Sequence, residues 1–254
     1  MEQWPTGITD IEQGDIFVRG YPIARLIGRT SFPNSLFLLL TGDLPSAPAS
    51  RLVEAVLVAA LDHGTTSPSA LAARTVVSGG APVQVGAAAG LLALNKYHGA
   101  AVEGAARLLA RVGGDAGADL GEAAAAAVGD LLARGERVPG FGHRVHRRDP
   151  RVDRLFAVAR EAAADERFID AARAVEAALE AAKGRHFPMN LDTAIAAVLL
   201  PYMDPGQVLG VFVVSRLCGI YAQANEEATR MKPMRRIEPS AWMYDGPPRR
   251  GAEG

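Results

Sequence analysis

The sequence predicts an all-α protein, and three observations carry that reading. Alanine supplies 47 of the 254 residues while aromatics are only 6%, which favours close-packed helices over sheets of β-branched and aromatic side chains. Apolar residues recur at helical spacing, as at Leu52, Val53, Val56, Leu57, Ala60 and Leu61. Start and stop signals bracket these stretches, with Asp149-Pro150 reading as an N-cap followed by N1 and with Gly64, Gly135 and Gly184 as ends.

The first 45 residues differ from the rest. Ile8, Ile11, Ile16, Val18 and the Arg19-Gly20-Tyr21-Pro22 turn suggest short extended pieces, though not a convincing sheet. A brief apolar helix over Leu36–Thr41 follows, ending near Gly42. Pro45–Ser50 reads as a connection, and Arg51–Asp62 as a helix closed by His63-Gly64. Pro68–Ser78 and Val83–Leu94 read as two helices whose small residues permit close contact. Val102–Val112 is a short helix closed by Gly113-Gly114, and Asp119 with Glu122 resembles a capping box opening an alanine-rich helix to Arg134. Helices over Arg151–Ala164, Phe168–Lys183, Asp192–Tyr202 and Gln207–Arg230 bring the expected number to about ten. The tail after Pro233, rich in Pro, Gly and Arg, is expected to wrap a surface or a partner subunit.

Composition narrows the function. Lys and Arg total 27 against 28 Asp and Glu, a formal net charge of -1, which argues against nucleic-acid binding by bulk charge. Cys218 is the single cysteine, so an intramolecular disulfide and a multi-cysteine zinc site are both excluded, and a reducing cytoplasm is expected. Met1–Thr9 lacks the pattern of a signal peptide, and the longest apolar runs fall short of the roughly 18 residues of a membrane span. A soluble cytoplasmic protein without metal or membrane partner is the expectation.

Three of the five histidines stand in glycine-bearing turns: Asp62-His63-Gly64, Tyr97-His98-Gly99 and Gly142-His143-Arg144. One such histidine is a helix-end cap, whereas three in a histidine-poor chain call for a joint explanation. Gly140–Arg154 packs His143, Arg144, Arg147, Arg148, Arg151 and Arg154 into a dozen or so positions. Such a basic cluster suits phosphate or carboxylate ligands, which guanidinium forks bind bidentately, and Gly140 and Gly142 let backbone approach a ligand. Asp192, in Phe187-Pro188-Met189-Asn190-Leu191-Asp192, is either an N-cap or a carboxylate facing an apolar pocket, where desolvation would raise its pKa and make it a usable general base. His98, His143, Asp192, Arg151 and Arg216 together suit carbon–carbon bond making or breaking next to a thioester. The base removes a weakly acidic proton while a donor holds the developing enolate oxygen, and arginines hold the carboxylates of an oxo acid. That chemistry needs no metal or redox cofactor.

The ordered segments IFVRGYPIARLI, SFPNSLFLLLTGDLPS, DHGTTSPSALAARTVVSGG, YHGAAVEGAARLL, VPGFGHRVHRRDPRVDRLF, FPMNLDTAIAAVLL and GVFVVSRLCGIYAQANEE resemble the citrate synthase superfamily, in the compact form of citryl-CoA lyase. The resemblance implies a large helical domain (1–100 and 205–254) and a small one (101–204) with a cleft between them, and a homodimer. It implies Asp192 as the base, His98 as the enolate donor and His143 as the group polarising the ketone. His63, Arg151 and Arg216 are implied at the substrate, and the backbone of Val138, Pro139, Gly140, Phe141 and Gly142 at the adenine end of coenzyme A. A CoA thioester and an oxo acid are the implied substrates, with no tightly bound cofactor and with citryl-CoA cleaved or, alternatively, formed. A non-catalytic CoA-binding subunit is the rival reading. The family's intersubunit arginine before a proline is Glu238 here, before Pro239, so either Arg235 or Arg236 substitutes for it or the acceptor is a different oxo acid.

Overall fold

The computed structural model describes residues 4–99, 101–117, 119–142, 149–249 and 251. Strands β1 (Thr9–Glu12), β2 (Asp15–Val18) and β3 (Tyr21–Pro22) pair antiparallel in the order β1-β2-β3. This corrects the expectation of unpaired extended pieces. The strands are only two to four residues long, but Gly14 (φ 92°) and Gly20 (φ 80°) supply the positive φ that tight hairpins require. The Arg19 guanidinium donates to the carbonyls of Leu39 (2.7 Å) and Gly7 (3.1 Å), tying the sheet to the helix over Phe32–Thr41.

Eleven α-helices follow among the described residues: α1 (Ile23–Leu26), α2 (Phe32–Thr41), α3 (Ala47–Ala59), α4 (Pro68–Ser78), α5 (Val83–Leu92), α6 (Ala101–Gly113), α7 (Leu120–Ala133), α8 (Pro150–Glu161), α9 (Arg167–Lys183), α10 (Leu191–Leu199) and α11 (Pro205–Arg230). α2 and α3 each start four residues earlier than the sequence suggests. The Ser31 and Ser46 hydroxyls accept from the N–H groups of Asn34 and Ala49, and Pro33 and Pro48 sit in the first turns, where proline has no hydrogen bond to lose. α3 also ends at Ala59 rather than Asp62, which leaves Asp62 and His63 in the turn toward α4.

α2, α3, α6 to α10 and the first half of α11 share one core, with Leu52, Leu109, Ile169, Ile195 and Leu199 fully buried. Each such side chain contributes about 1.5–3 kcal/mol by leaving water. A second, smaller cluster of Ala73, Val77, Ala87, Ile220 and Ala224 joins α4, α5 and α11. There Gly90 lets α5 lie against α11, since a Cβ at that position would fall 2.4 Å from Ile220 Cγ2. α11 is 26 residues long and apolar enough by length and composition to cross a membrane. In this fold it packs instead against α2 to α6 and α10, as the central helix of the structure.

Candidate active site

Asp192 stands in the first turn of α10, whose other residues up to Leu199 are buried. It is not the N-cap. Asn190 takes that place, its side-chain oxygen accepting from the Asp192 N–H at 3.0 Å, so the Asp192 carboxylate is released from capping. Among the described residues that carboxylate has no hydrogen-bond partner. Burial raises its pKa to about 6, against the opposing pull of the Arg216 and Arg151 charges and with the help of Asp149.

The start of α10 is clasped by residues 138–142. The Gly140 carbonyl accepts from the Asn190 N–H (3.0 Å) and from Thr193 Oγ1 (2.7 Å), Gly142 N donates to the Pro188 carbonyl (2.8 Å), and Asn190 Nδ2 donates to the Gly142 carbonyl (3.2 Å). Gly140 is required for packing: its φ is 82°, and a Cβ there would fall 2.1 Å from Thr193 Oγ1. The sequence reading gave Gly140 and Gly142 to ligand approach, whereas much of their backbone is spent on holding α10.

His98 lies between α5 and α6 in a turn closed by reciprocal backbone bonds with Asn95, both 2.7 Å. Its Nε2 lies 2.9 Å from the buried Ser69 Oγ near the start of α4, and its ring centroid 6.1 Å from that of His63. Desolvation and the Arg216 charge lower its pKa, so it is a neutral imidazole near pH 7. The serines bear on which ring nitrogen carries the proton. Ser67 Oγ, the α4 N-cap, gives its one proton to the Gly64 carbonyl (3.1 Å) and offers Ser69 a distant 3.4 Å contact. When Ser69 spends its proton on the shorter contact, to His98 Nε2, His98 carries its own proton on Nδ1 as a donor.

Arg216 of α11 is 4% exposed, and its Nε and Nη1 have no hydrogen-bond partner among the described residues. Its guanidinium lies 5.0 Å from the centroid of the Phe212 ring. Burial lowers its pKa, while the charges of Asp192 and Asp62 raise it. A buried, unsatisfied cation is costly unless something anionic completes it. Arg151 is held differently: the buried Asp149 caps α8 through the Arg151 N–H and grips the guanidinium through Nε (2.9 Å) and Nη2 (2.7 Å).

The structure thus brings His63, His98, Asp192, Arg151 and Arg216 into mutual contact or electrostatic reach, with residues 138–142 clasped below Asp192. His143, with Arg144, Arg147 and Arg148, lies outside the described residues. Arg236 is exposed and, among the described residues, pairs with Glu238 at 4.0 Å and does not join the set. Arg235 is occupied by Glu227. Sequence reasoning missed Ser69, Asp149 as the clamp on Arg151, and Asp62; the Ser67-Pro68-Ser69 cap was the available signal for the first. A carboxyl poised near neutrality, a neutral imidazole donor and a buried guanidinium can together move a proton at carbon next to a carbonyl while holding an anion. No group of three or more His, Cys, Asp or Glu among the described residues is placed to hold a metal ion.

The fold is that of a helical member of the citrate synthase superfamily. The profile described as "Citrate synthase, C-terminal domain" matches residues 46–238, and the chain belongs to that family. It is similar to the structure of citryl-CoA lyase from Hydrogenobacter thermophilus, at 35% identity and a TM-score of 0.90, covering 98% of this chain and 97% of that one. ATP citrate lyase from Methanothrix soehngenii, solved with citrate and coenzyme A, shares the fold at 21% identity and a TM-score of 0.83, over 98% of this chain and 42% of its own. "Putative citrate synthase 2" of Mycobacterium tuberculosis is 30% identical over 236 residues, 90% of this chain and 60% of the relative. The chain therefore spans about 60% of the length of the curated relatives it matches first.

Proposed function

We propose that the protein is a carbon–carbon lyase of the citryl-CoA type, splitting citryl-CoA into acetyl-CoA and oxaloacetate. The observation that carries this is Asp192, a desolvated carboxyl without a hydrogen-bond partner among the described residues, within electrostatic reach of Arg216, whose Nε and Nη1 are unsatisfied there. The similarity to a compact citryl-CoA lyase along nearly the whole length of both chains supports it. In the cleavage direction the hydroxyl of citryl-CoA gives up its proton, a role assigned to His143, and the carbon–carbon bond breaks to leave oxaloacetate and a thioester enolate. The His98 Nδ1–H holds the enolate oxygen and protonated Asp192 returns a proton to carbon, so one proton moves from oxygen to carbon overall. Arg151, Arg216 and His63 hold the oxo-acid carboxylates, and the backbone of Val138–Gly142 faces the adenine end of the CoA thioester. Asp192 and Arg151 come from residues 101–204 and His63, His98 and Arg216 from the remainder, which supports a cleft between a small and a large domain.

Condensation of an acyl-CoA with an oxo acid uses the same groups in reverse, and the relatives named citrate synthase favour it as the second reading. A homodimer is proposed as the working form, with Leu71, Val85, Leu92 and Tyr221 of α4, α5 and α11 left exposed for a second copy to cover. The test is a paired assay of acetyl-CoA and oxaloacetate release from citryl-CoA and of thiol release from acetyl-CoA plus oxaloacetate, with Asp192→Asn as control. Cleavage that is lost in the variant supports the lyase. Synthesis alone supports the second reading, and silence in both directions supports a CoA-binding subunit.

A further inference from the structure

Asp62 is a carboxylate within electrostatic reach of Arg216, and yet the two do not pair. An unsatisfied buried guanidinium ordinarily captures any carboxylate able to swing onto it, and an arginine neutralised in that way is a poor receptor for a substrate carboxylate. Something holds Asp62 back.

The restraint is visible in its contacts. Asp62 Oδ2 accepts from the Gly64 N–H at 3.1 Å and from Gln223 Nε2 at 3.1 Å. Gln223 is itself fixed at its other end: its Oε1 accepts from Arg74 Nη1 at 2.6 Å. Arg74 is 3% exposed and is locked by Glu227 Oε2 at 2.8 Å, and Glu227 is gripped in turn by Arg235 Nε at 3.0 Å. The amide is uncharged, accepting from Arg74 with its oxygen and donating to Asp62 with its nitrogen. A carboxylate there would repel Asp62, and an ammonium would repel Arg74.

α11 carries the whole arrangement on one face. Arg216, Gly219, Gln223 and Glu227 follow at intervals of three and four residues, so they stack along the side that meets the turn after α3. Gly219 permits the approach, because a Cβ there would fall 2.1 Å from the Leu61 carbonyl oxygen and 2.8 Å from Asp62 Cα. The Asp62 backbone thus lies directly on α11 between the arginine it must avoid and the glutamine that holds it.

We propose that Gln223 is a positioning residue that, with the Gly64 N–H, pins Asp62 away from Arg216 and so keeps the guanidinium unpaired for a substrate carboxylate. This rests on the reading of Arg216 as an oxo-acid ligand. Without Gln223, Asp62 turns onto Arg216 and competes with the substrate. Arg74, Glu227 and Arg235 act through Gln223, which extends the device from the active site to the base of the C-terminal tail.

The test measures oxaloacetate binding to the full chain by calorimetry for the wild type, Arg216→Leu, Gln223→Leu and the double variant Asp62→Asn/Gln223→Leu. The expectation is a loss of about tenfold in affinity for Gln223→Leu and a return to within about threefold of wild type in the double variant. A purely structural role for Gln223 gives no such rescue. An unchanged affinity in Gln223→Leu, or a double variant as weak as the single one, overturns the proposal. A ligand-free crystal structure of Gln223→Leu decides the question independently: an Asp62 oxygen within ion-pair distance of Arg216 supports it, and an unmoved Asp62 overturns it. Wild-type protein that fails to bind oxaloacetate, or Arg216→Leu that binds it normally, instead defeats the reading of the site and leaves the crystal structure to decide the role of Gln223.

Discussion

Replacing Asp192 by Asn is expected to abolish turnover and at the same time stabilise the fold, and the size of the second effect follows from the site. The carboxyl pKa rises from 3.8 to about 6 on folding, because burial disfavours its charge more than Arg216 and Arg151 favour it. Folded protein therefore binds more protons than unfolded protein between about pH 4 and pH 6, and wild-type stability falls as pH rises through that window. Above it the full difference is present, about 2 pH units or about 3 kcal/mol, which for a chain of this length is roughly 6 to 12 °C in Tm. Asparagine carries no charge and escapes this penalty. Thermal and urea unfolding of both proteins from pH 4 to pH 8, at equal protein concentration, should give curves that coincide near pH 4 and separate to their full gap by about pH 7. A gap independent of pH, or a variant less stable at pH 7.5, would rule out a buried Asp192 whose charge opposes folding. The same titration governs rate with opposite signs: condensation needs Asp192 ionised and should rise through about pH 6, whereas cleavage needs it protonated and should fall there.

Ser69→Ala removes the hydroxyl that meets His98 Nε2; kcat should fall about 10- to 100-fold with a smaller change in KM, and the imidazole 15N shifts should change. Glu227→Gln strips the charge from a carboxylate gripped by Arg74 and Arg235. A loss of about 3–5 kcal/mol by urea unfolding at pH 7 is expected, the usual consequence of halving a buried ion pair. Because these arginines hold the Glu227 pKa down, the advantage of wild type should fade as pH drops below the ordinary glutamate range. Deleting residues 238–254 removes Trp242, Met243 and Tyr244, all largely exposed within one chain. Activity should fall more than Tm, and a matched loss of both would defeat the idea that the tail serves a second subunit's cleft.

Most of the helices were legible because their ends are written in short-range chemistry. Asp149-Pro150, Asp119, Gly135 and Gly184 mark boundaries that hold in the structure to within a residue or two. Some helix-opening prolines misled: Pro48 and Pro205 fall outside the helices the sequence suggests but occupy first turns, whereas Pro68 and Pro150 read correctly. The three-strand sheet was hidden because its pairing depends on two glycine turns more than on strand length. His63, His98, Asp192 and Arg216 were legible as residues, while their supports were not. Ser69, Asp62 and Gln223 acquire meaning only where α4, the turn after α3 and α11 meet, and no local pattern announces contacts 29 or 161 residues apart in sequence.

The clasp between residues 139–142 and the start of α10 also sets which sequences this fold can explore. With Thr193 Oγ1 bonded to the Gly140 carbonyl and occupying the space a Cβ at position 140 would need, position 140 cannot drift from glycine unless 193 changes too. An alanine at 140 must find the left-handed φ tolerable and also meet a smaller partner at 193. The two positions, 53 residues apart, form one heritable unit that ties the presentation of the base to the turn beneath it.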